Sequence, residues 1–425
     1  MSLWTGFPTL KKSNKVIYNE MKEMNSKRIF SISVLLIIAL QFFISTGCKE
    51  NGNSGEINQN SSTDLARYTP DWIKDGFADA GATHEPRIFQ VRRNDGRFNQ
   101  WQKDKYEYQM SEEYIKALSE SGITVYHVNC YKGFGFKAEK ENMDKVAKAA
   151  AIAHKYGMKV DTYIQWNTLA YETFFSEVPE AKKDLWYQTD VTGKPIMLGY
   201  GYQQSFRFRP CFNNDAYVNY LKEKIIRYAV EVVKTDFILF DNFDLNHPRD
   251  ADHNPAAIAA FRKYIGDKYS PSKRIERFGF DDVSNFLPPM WNESNPAEKL
   301  VEINDPLVQE WVDFRCRTLS TRLAECASFA RTLNKEIVIQ INSNGGLNGY
   351  NKAWLEGIDQ SDLMQYTNVI FDEEINNPKW GDGVITGKFR SYKLARTANN
   401  FVTTYTAARF VIVLCAAPVS NDARL

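Results

Sequence analysis

The sequence is poor in the short signatures that announce a chemistry. No GxGxxG or GxxxxGKS/T run follows any strand-like segment, so nucleotide binding has no motif support. GxSxG is missing, which removes the usual serine-hydrolase nucleophile. The five histidines form no HExxH or paired-ligand pattern, so no catalytic metal is expected and no cofactor is implied. The six cysteines include no CxxC pair, which argues against a structural zinc. Cys316 and Cys326 fall on one predicted helix, roughly 15 Å apart, too far to bond each other. The formal net charge is only +1, without the basic footprint that a nucleic-acid partner leaves.

What is present is a chain of 425 residues, 43% hydrophobic, long enough for one large domain or two ordinary ones, and for a real core. Aromatics reach 14%, which suits either a core or stacking against the apolar faces of sugar rings. Near the N-terminus, Lys27-Arg28 precede an apolar run from Ile29 to Ile44, then Ser45-Thr46-Gly47-Cys48. A basic flank, a short apolar core and small residues before a cleavage point describe a secretory signal. The small-small-Cys ending resembles a bacterial lipobox, with Cys48 as the lipidated residue and Ser45 where Leu is commonest. The other reading, one membrane-spanning helix, meets a run barely long enough to cross a bilayer. Residues 1–20 add nothing to a signal, and Met21 or Met24 is the expected initiator. Lys49-Glu50 resembles the surface-export signal of some Bacteroidetes lipoproteins. Glu50 to Leu65, rich in Asn, Gly and Ser, reads as a flexible tether. The expected organisation is a leader over 1–48, a tether over 49–66 and one domain over 67–425. The expected location is the bacterial cell envelope, anchored to the outer membrane through the lipid and facing the periplasm or the cell surface.

Strand and helix patterns alternate after the tether. Strands are predicted at Arg87 to Val91, Ile123 to Asn129, Lys159 to Trp166, Phe237 to Phe240, Glu336 to Asn342, Leu363 to Phe371 and Phe401 to Tyr405. Helices are predicted from Ser111 to Leu118, Glu141 to Tyr156, Asp215 to Val233, Asn254 to Tyr269, Asp305 to Leu333 and Lys388 to Asn399. Seven consecutive βα units predict a (β/α)8 TIM barrel, with a doubly wound open sheet as the other arrangement. The excursion from Asn167 to Asn214 carries six aromatics and reads as a folded lid or subsite wall, or else as a satellite hydrophobic cluster. The stretch from Ser270 to Asn304 reads as an insertion with short helices. The apolar run Phe410 to Ala417 follows Phe401 to Tyr405 too closely for a parallel crossover, so either Phe410 to Leu414 is the true seventh strand or, as expected here, the barrel is incomplete at its C-terminus.

Phe237 to Phe240 carries no charge, as in a parallel strand buried on both faces, and Asp241, Asn242, Asp244 and Asn246 arrive together at its end. Chemistry in such folds sits at the carboxyl ends of strands. Asp372-Glu373-Glu374 end the sixth strand at the same mouth. Two carboxylates across a mouth suit glycoside hydrolysis, one at the anomeric carbon and one protonating the leaving oxygen. Asp241 is the candidate nucleophile and Glu373 the candidate acid/base, with Asp372 and Glu374 as substitutes. The competing role for Asp241 is a loop cap. His127, Asn129, Gln165, Asn242, Asn342 and Asn344 supply donor–acceptor pairs for sugar hydroxyls, and Trp166 a stacking platform. Asp244, Asp250, Asp252 and His253 read as a solvated loop or a cation loop.

Four segments occur in order: Lys155 to Val160, the Gly193-Lys194-Pro195 turn, Arg209-Pro210-Cys211-Phe212-Asn213, and Phe237 to Asn242. Together they resemble the barrel of the hypothetical glycosyl hydrolase families, relatives of α-L-fucosidase-like and clan D-like (β/α)8 enzymes, over about residues 85–405. The resemblance implies a carbohydrate substrate, a nucleophilic Asp at strand four, which maps onto Asp241, and an acid/base after strand six, near Asp372-Glu373. In β-galactosidase-like barrels the acid/base Glu follows strand four and the nucleophilic Glu strand seven, and Asp241-Asn242 departs from that pattern. The expected function is a two-carboxylate, retaining glycoside hydrolase acting on an oligo- or polysaccharide outside the cytoplasm. The alternative is a non-catalytic glycan-binding lipoprotein on the same scaffold.

Overall fold

The computed structural model describes residues 68–93, 96–97, 99–198, 206–245, 252–289, 303–343, 354, 356–375, 379–381, 383–386, 389–405 and 413–414. Its strands, in chain order, are β1 (Ala78–Ala82), β2 (Val125–Tyr131), β3 (Lys159–Gln165), β4 (Leu169–Ala170), β5 (Arg207–Phe208), β6 (Phe237–Asp241), β7 (Val338–Asn342), β8 (Val369–Ile375), β9 (Lys379–Gly381), β10 (Val384–Thr386), β11 (Phe401–Tyr405) and β12 (Val413–Leu414). Seven of them form one curled parallel sheet in the order β1-β2-β3-β6-β7-β8-β11. With helices in the connections, this is an incomplete (β/α)8 barrel.

Helix boundaries follow local chemistry. Ser111 Oγ accepts from the Tyr114 amide to start Glu112–Glu120, and Gly122 leaves it at φ 85°. Asn254 and Asp305 cap the helices Pro255–Lys268 and Pro306–Leu333, each with proline in the first turn. The helix Phe136–Lys155 feeds β3 through Gly157 at φ 77°. Asp215–Tyr220 continues through π-helical turns at Leu221–Ile226 and Ala229–Val233 before β6. Among the described residues no helix is long and apolar enough to cross a membrane.

Two expectations are corrected. The first strand is Ala78–Ala82, and Arg87–Arg93 is a helix started by Pro86, whose carbonyl accepts from the Phe89 and Gln90 amides. β8 begins at Val369, because Asp359 caps a helical turn over Gln360–Leu363. The tail holds no parallel eighth strand among the described residues, in keeping with the short spacing; β12 instead pairs antiparallel with β1, through Ala78↔Leu414 and Asp79↔Val413. An antiparallel return needs no long crossover, so the length objection applies only to a parallel strand.

Inward-facing residues stack in layers. Val125, Phe237, Val338, Val369 and Phe401 close the amino-terminal end over Ile73 and Phe77. The outward residues Ile164, Ile238, Phe240, Ile339, Ile341, Ile370 and Val402 pack against the helices. The excursion between β3 and the helix at Asp215 is folded, with β4 and β5 paired antiparallel and two short helices, Tyr171–Glu177 and Pro179–Lys183. Trp186 joins the main core, and Phe206 packs on Phe89 and Phe134. The later insertion carries the helix Pro271–Phe278 and buries Phe286 against Phe278 and Phe280. Cys130, Cys211, Cys316 and Cys326 are buried free thiols.

Candidate active site

Asp241 is the last residue of β6, and three side chains hold its carboxylate. Asn342 Nδ2 donates to Oδ1 at 2.8 Å, and Asn242 Nδ2 donates to Oδ2 at 2.7 Å. The Tyr163 hydroxyl, on neighbouring β3, also donates to Oδ2. That hydroxyl lies 2.7 Å from the Gln165 side-chain amide as well. It has one proton, so with Asp241 as acceptor the amide satisfies both groups by presenting Nε2, which has no other acceptor. Asn242 sits at φ 50°, a left-handed turn that asparagine tolerates better than most residues. The turn lets the Phe243 amide reach the Asn342 carbonyl at 2.8 Å, tying the chain beyond β6 to β7.

Asp241 faces a cavity of about 240 Å3 at the carboxyl ends of the strands, to which all seven parallel strands contribute. Across it stands an ion pair, Lys132 Nζ to Glu85 Oε2 at 3.0 Å. The Lys132 ammonium also lies 3.8 Å from the centre of the Tyr163 ring, a close cation–π contact that places it beside the Asp241 donor. The loop carrying Lys132 is fixed by the buried Glu139, whose oxygens accept the Lys132 and Phe134 amides, each at 2.7 Å. Burial pushes the Glu139 pKa up to about 8, opposed by those amides.

Deeper in the barrel, Asp79, His127 and Asp161 come together from β1, β2 and β3. His127 Nδ1 lies 2.7 Å from Asp161 Oδ2. Burial works against a charged His127, but the charge and hydrogen bond of Asp161, with the charge of Asp79, push its pKa up to about 9. Burial and the Asp161 charge push Asp79 up to about 8. Gly81 permits this approach, because a Cβ there would lie 1.9 Å from the His127 carbonyl oxygen.

Behind β6, Asp244 Oδ1 accepts from Asn167 Nδ2 at 2.9 Å and pairs with Arg209 at 3.4 Å. Burial raises the Asp244 pKa and lowers that of Arg209 to about 10. Asp252 Oδ1 accepts the Thr189 and Asn254 amides at 3.1 and 2.8 Å, stitching the lid to the helix start. Asp244 and Asp252 thus serve separate networks rather than one cation loop, and Asp250 lies outside the described residues.

The structure brings Asp241, Asn242 and Asn342 together through the two amide hydrogen bonds to the carboxylate. Asn129 lines the cavity and donates to the carbonyls of Ala82 and His84 at 3.4 and 3.3 Å. His127 lines it too, turned toward Asp161. Trp166 is corrected: it is 0% exposed, stacked on Phe212 at 4.7 Å and flanked by Phe240 and Phe243, so it cannot offer a face to sugar. Asp372 is corrected as well: it is 1% exposed and off the cavity, because strand alternation gives the inward place to Phe371. The ladder then steps from Thr404↔Asp372 to Tyr405↔Ile375, so positions 373 and 374 form a bulge at the mouth. The Glu373 and Glu374 side chains, Asn344 and Cys48 lie outside what is described. Sequence reasoning missed Asp79, Glu85, Lys132, Asp161 and Tyr163 as site residues. For Asp79, Asp161 and Tyr163 the available signal was ionisable residues inside strands; Glu85 and Lys132 lie in the loops after β1 and β2.

No family model matches the sequence, and no curated protein does. Solved structures that resemble it include glycoside hydrolases. A β-galactosidase from the Antarctic haloarchaeon Halorubrum lacusprofundi is 14% identical over 71% of this chain and 40% of its own, with a TM-score of 0.45. A β-galactosidase from a Rahnella species is 12% identical over 74% and 41%, with a TM-score of 0.49. The catalytic domain of a β-amylase from Paenibacillus polymyxa is 14% identical over 70% and 81%, with a TM-score of 0.46. The chain spans about 40% of the length of these β-galactosidases.

Proposed function

We propose that the chain is a retaining glycoside hydrolase that acts on a carbohydrate outside the cytoplasm. One observation carries this reading: the Asp241 carboxylate faces a strand-end cavity while three donors fix its orientation. A carboxylate has about four acceptor positions, and two on Oδ2 and one on Oδ1 are used. The remaining lone pair belongs to Oδ1, which becomes the atom that attacks the anomeric carbon. The C–O bond to the leaving group breaks as Glu373, at the bulged end of β8, delivers a proton to the departing oxygen. Glu373 then takes a proton from water, which attacks the glycosyl–Asp241 ester and frees the carboxylate. Glu85 is the second candidate for that proton transfer, because it lines the same cavity.

The test is covalent trapping with activated 2-deoxy-2-fluoro glycosides of several sugars, followed by peptide mass spectrometry. A glycosyl adduct on Asp241 is expected, and an adduct on another residue would overturn the assignment. Glycan binding without turnover of any sugar, unchanged in Asp241→Asn, would favour the binding-protein reading. The Ser45-Thr46-Gly47-Cys48 ending supports export and lipidation at Cys48. A mature protein from a bacterial host with residues 1–47 still attached would overturn that.

A further inference from the structure

We propose that Asp79, His127 and Asp161 form a site for a divalent first-row transition cation, such as Zn2+ or Mn2+, on the inner wall of the barrel. One ligand atom from each residue lies within 4.8 Å of the other two, and the three come from adjacent strands β1, β2 and β3. A four- to six-coordinate ion with bonds of about 2.0–2.2 Å holds its ligand atoms roughly 3–4 Å apart. Small side-chain rotations therefore close this set. One imidazole and two carboxylates are the mixed nitrogen and oxygen donors that such ions accept.

The second observation is a buried acceptor without a donor. Asp79 is 8% exposed, and its Oδ1 has no hydrogen-bond partner. Asp161 is 0% exposed, and its Oδ1 makes no hydrogen bond of ordinary geometry, although the Leu239 amide is near enough to favour its charge. Leaving a buried carboxylate oxygen unmatched is costly, and an ion coordinated by Asp79 supplies its missing partner. Lys132 does not fill the role, because its ammonium is bound to Glu85. Asp79 and His127 line the 240 Å3 cavity, which gives the ion an entry path and leaves coordination positions open toward it. On binding, the ion takes the place of the proton between His127 Nδ1 and Asp161 Oδ2, and that proton, with any held by the Asp79 carboxyl, leaves to solvent. The site stands on these residues alone and does not depend on the hydrolase reading.

The test uses the whole chain, stripped with chelator and dialysed against Zn2+ or Mn2+. About one ion per chain is expected, with a rise in melting temperature of about 5 °C at ligand excess. The Co2+ form of the unaltered chain should show nitrogen–oxygen ligation without a thiolate charge-transfer band. Asp79→Asn and His127→Gln, each checked for a folded near-ultraviolet circular dichroism spectrum, should each lose the ion. The proposal is overturned by no stoichiometric ion in the unaltered chain, by a thiolate band, or by binding that survives both substitutions. If neither variant folds, the stoichiometry and the Co2+ spectrum of the unaltered chain decide.

Discussion

Tyr163 on β3 donates its hydroxyl to Asp241 at the end of β6, and the two strands are direct neighbours in the barrel. The donor is itself held, because Lys132 lies over its ring. The carboxylate is thus positioned by a chain of contacts that ends in the Glu85 ion pair.

Replacing Tyr163 with Phe keeps the ring under Lys132 and removes only the donor. A hydrogen bond to a charged group contributes about 1.5–3 kcal/mol, so kcat/KM should fall about 10- to 100-fold. Steady-state kinetics with a thermal melt read this. A large loss of stability with unchanged turnover would make the contact structural only.

Leaving-group dependence identifies the acid/base. Glu373→Ala should nearly abolish cleavage of substrates with poor leaving groups and spare those with dinitrophenolate. Azide should restore turnover by taking the place of the activated water. Glu85→Gln should lower both classes of substrate together. If the two variants exchange these behaviours, Glu85 is the proton donor.

Asp236 accepts from Lys159, His154 and the Val160 amide at 2.8, 2.8 and 3.0 Å. Burial works to raise its pKa, and the bonds from His154 and Lys159 overcome that and lower it. A lowered carboxyl pKa contributes stability above the ordinary value of 3.8 and loses it as pH falls through the folded value. Asp236→Asn should therefore be less stable than the native chain by about 1–3 kcal/mol at pH 7. The gap should narrow as pH falls below 3.8 toward the lowered folded value. Urea midpoints at several pH values measure it, and a gap that stays constant as pH falls through this range would contradict the linkage.

Gly81→Ala should be among the most damaging single-methyl additions in the chain. The obstacle is the His127 backbone rather than a side chain that can swing aside. A loss of about 3 kcal/mol or more is expected. Soluble yield and melting temperature check it, and a native-like melt would show that β1 and β2 can part without cost.

The scaffold was legible where one signal dominated. Phe237 to Phe240 read as a buried strand because nothing polar interrupts it, and Pro306–Leu333 because a capping Asp, a proline and an apolar stripe agree. β1 was not legible, since Ala-Asp-Ala-Gly-Ala has no β-branched or aromatic residue. The polar interior was hidden by its own alternation. In Lys159–Gln165, Asp161 and Tyr163 face inward, so the pattern resembles a strand with one side in water. Trp166 misled because its burial comes from Phe212, Phe240 and Phe243, which are distant in sequence.

β6 has a polar anchor at each end, with Asp236 tied to Lys159 and His154 below and Asp241 tied to Tyr163 and Asn342 above. Every residue between them is buried, and β3 and β7 pair on either side. Its amide protons should therefore exchange with solvent only when the barrel as a whole comes apart. Asp241 then rides on a slow-exchanging backbone segment. Substrate entry is expected to be accommodated by the surrounding loops, because both neighbouring strands hold the backbone that carries the carboxylate.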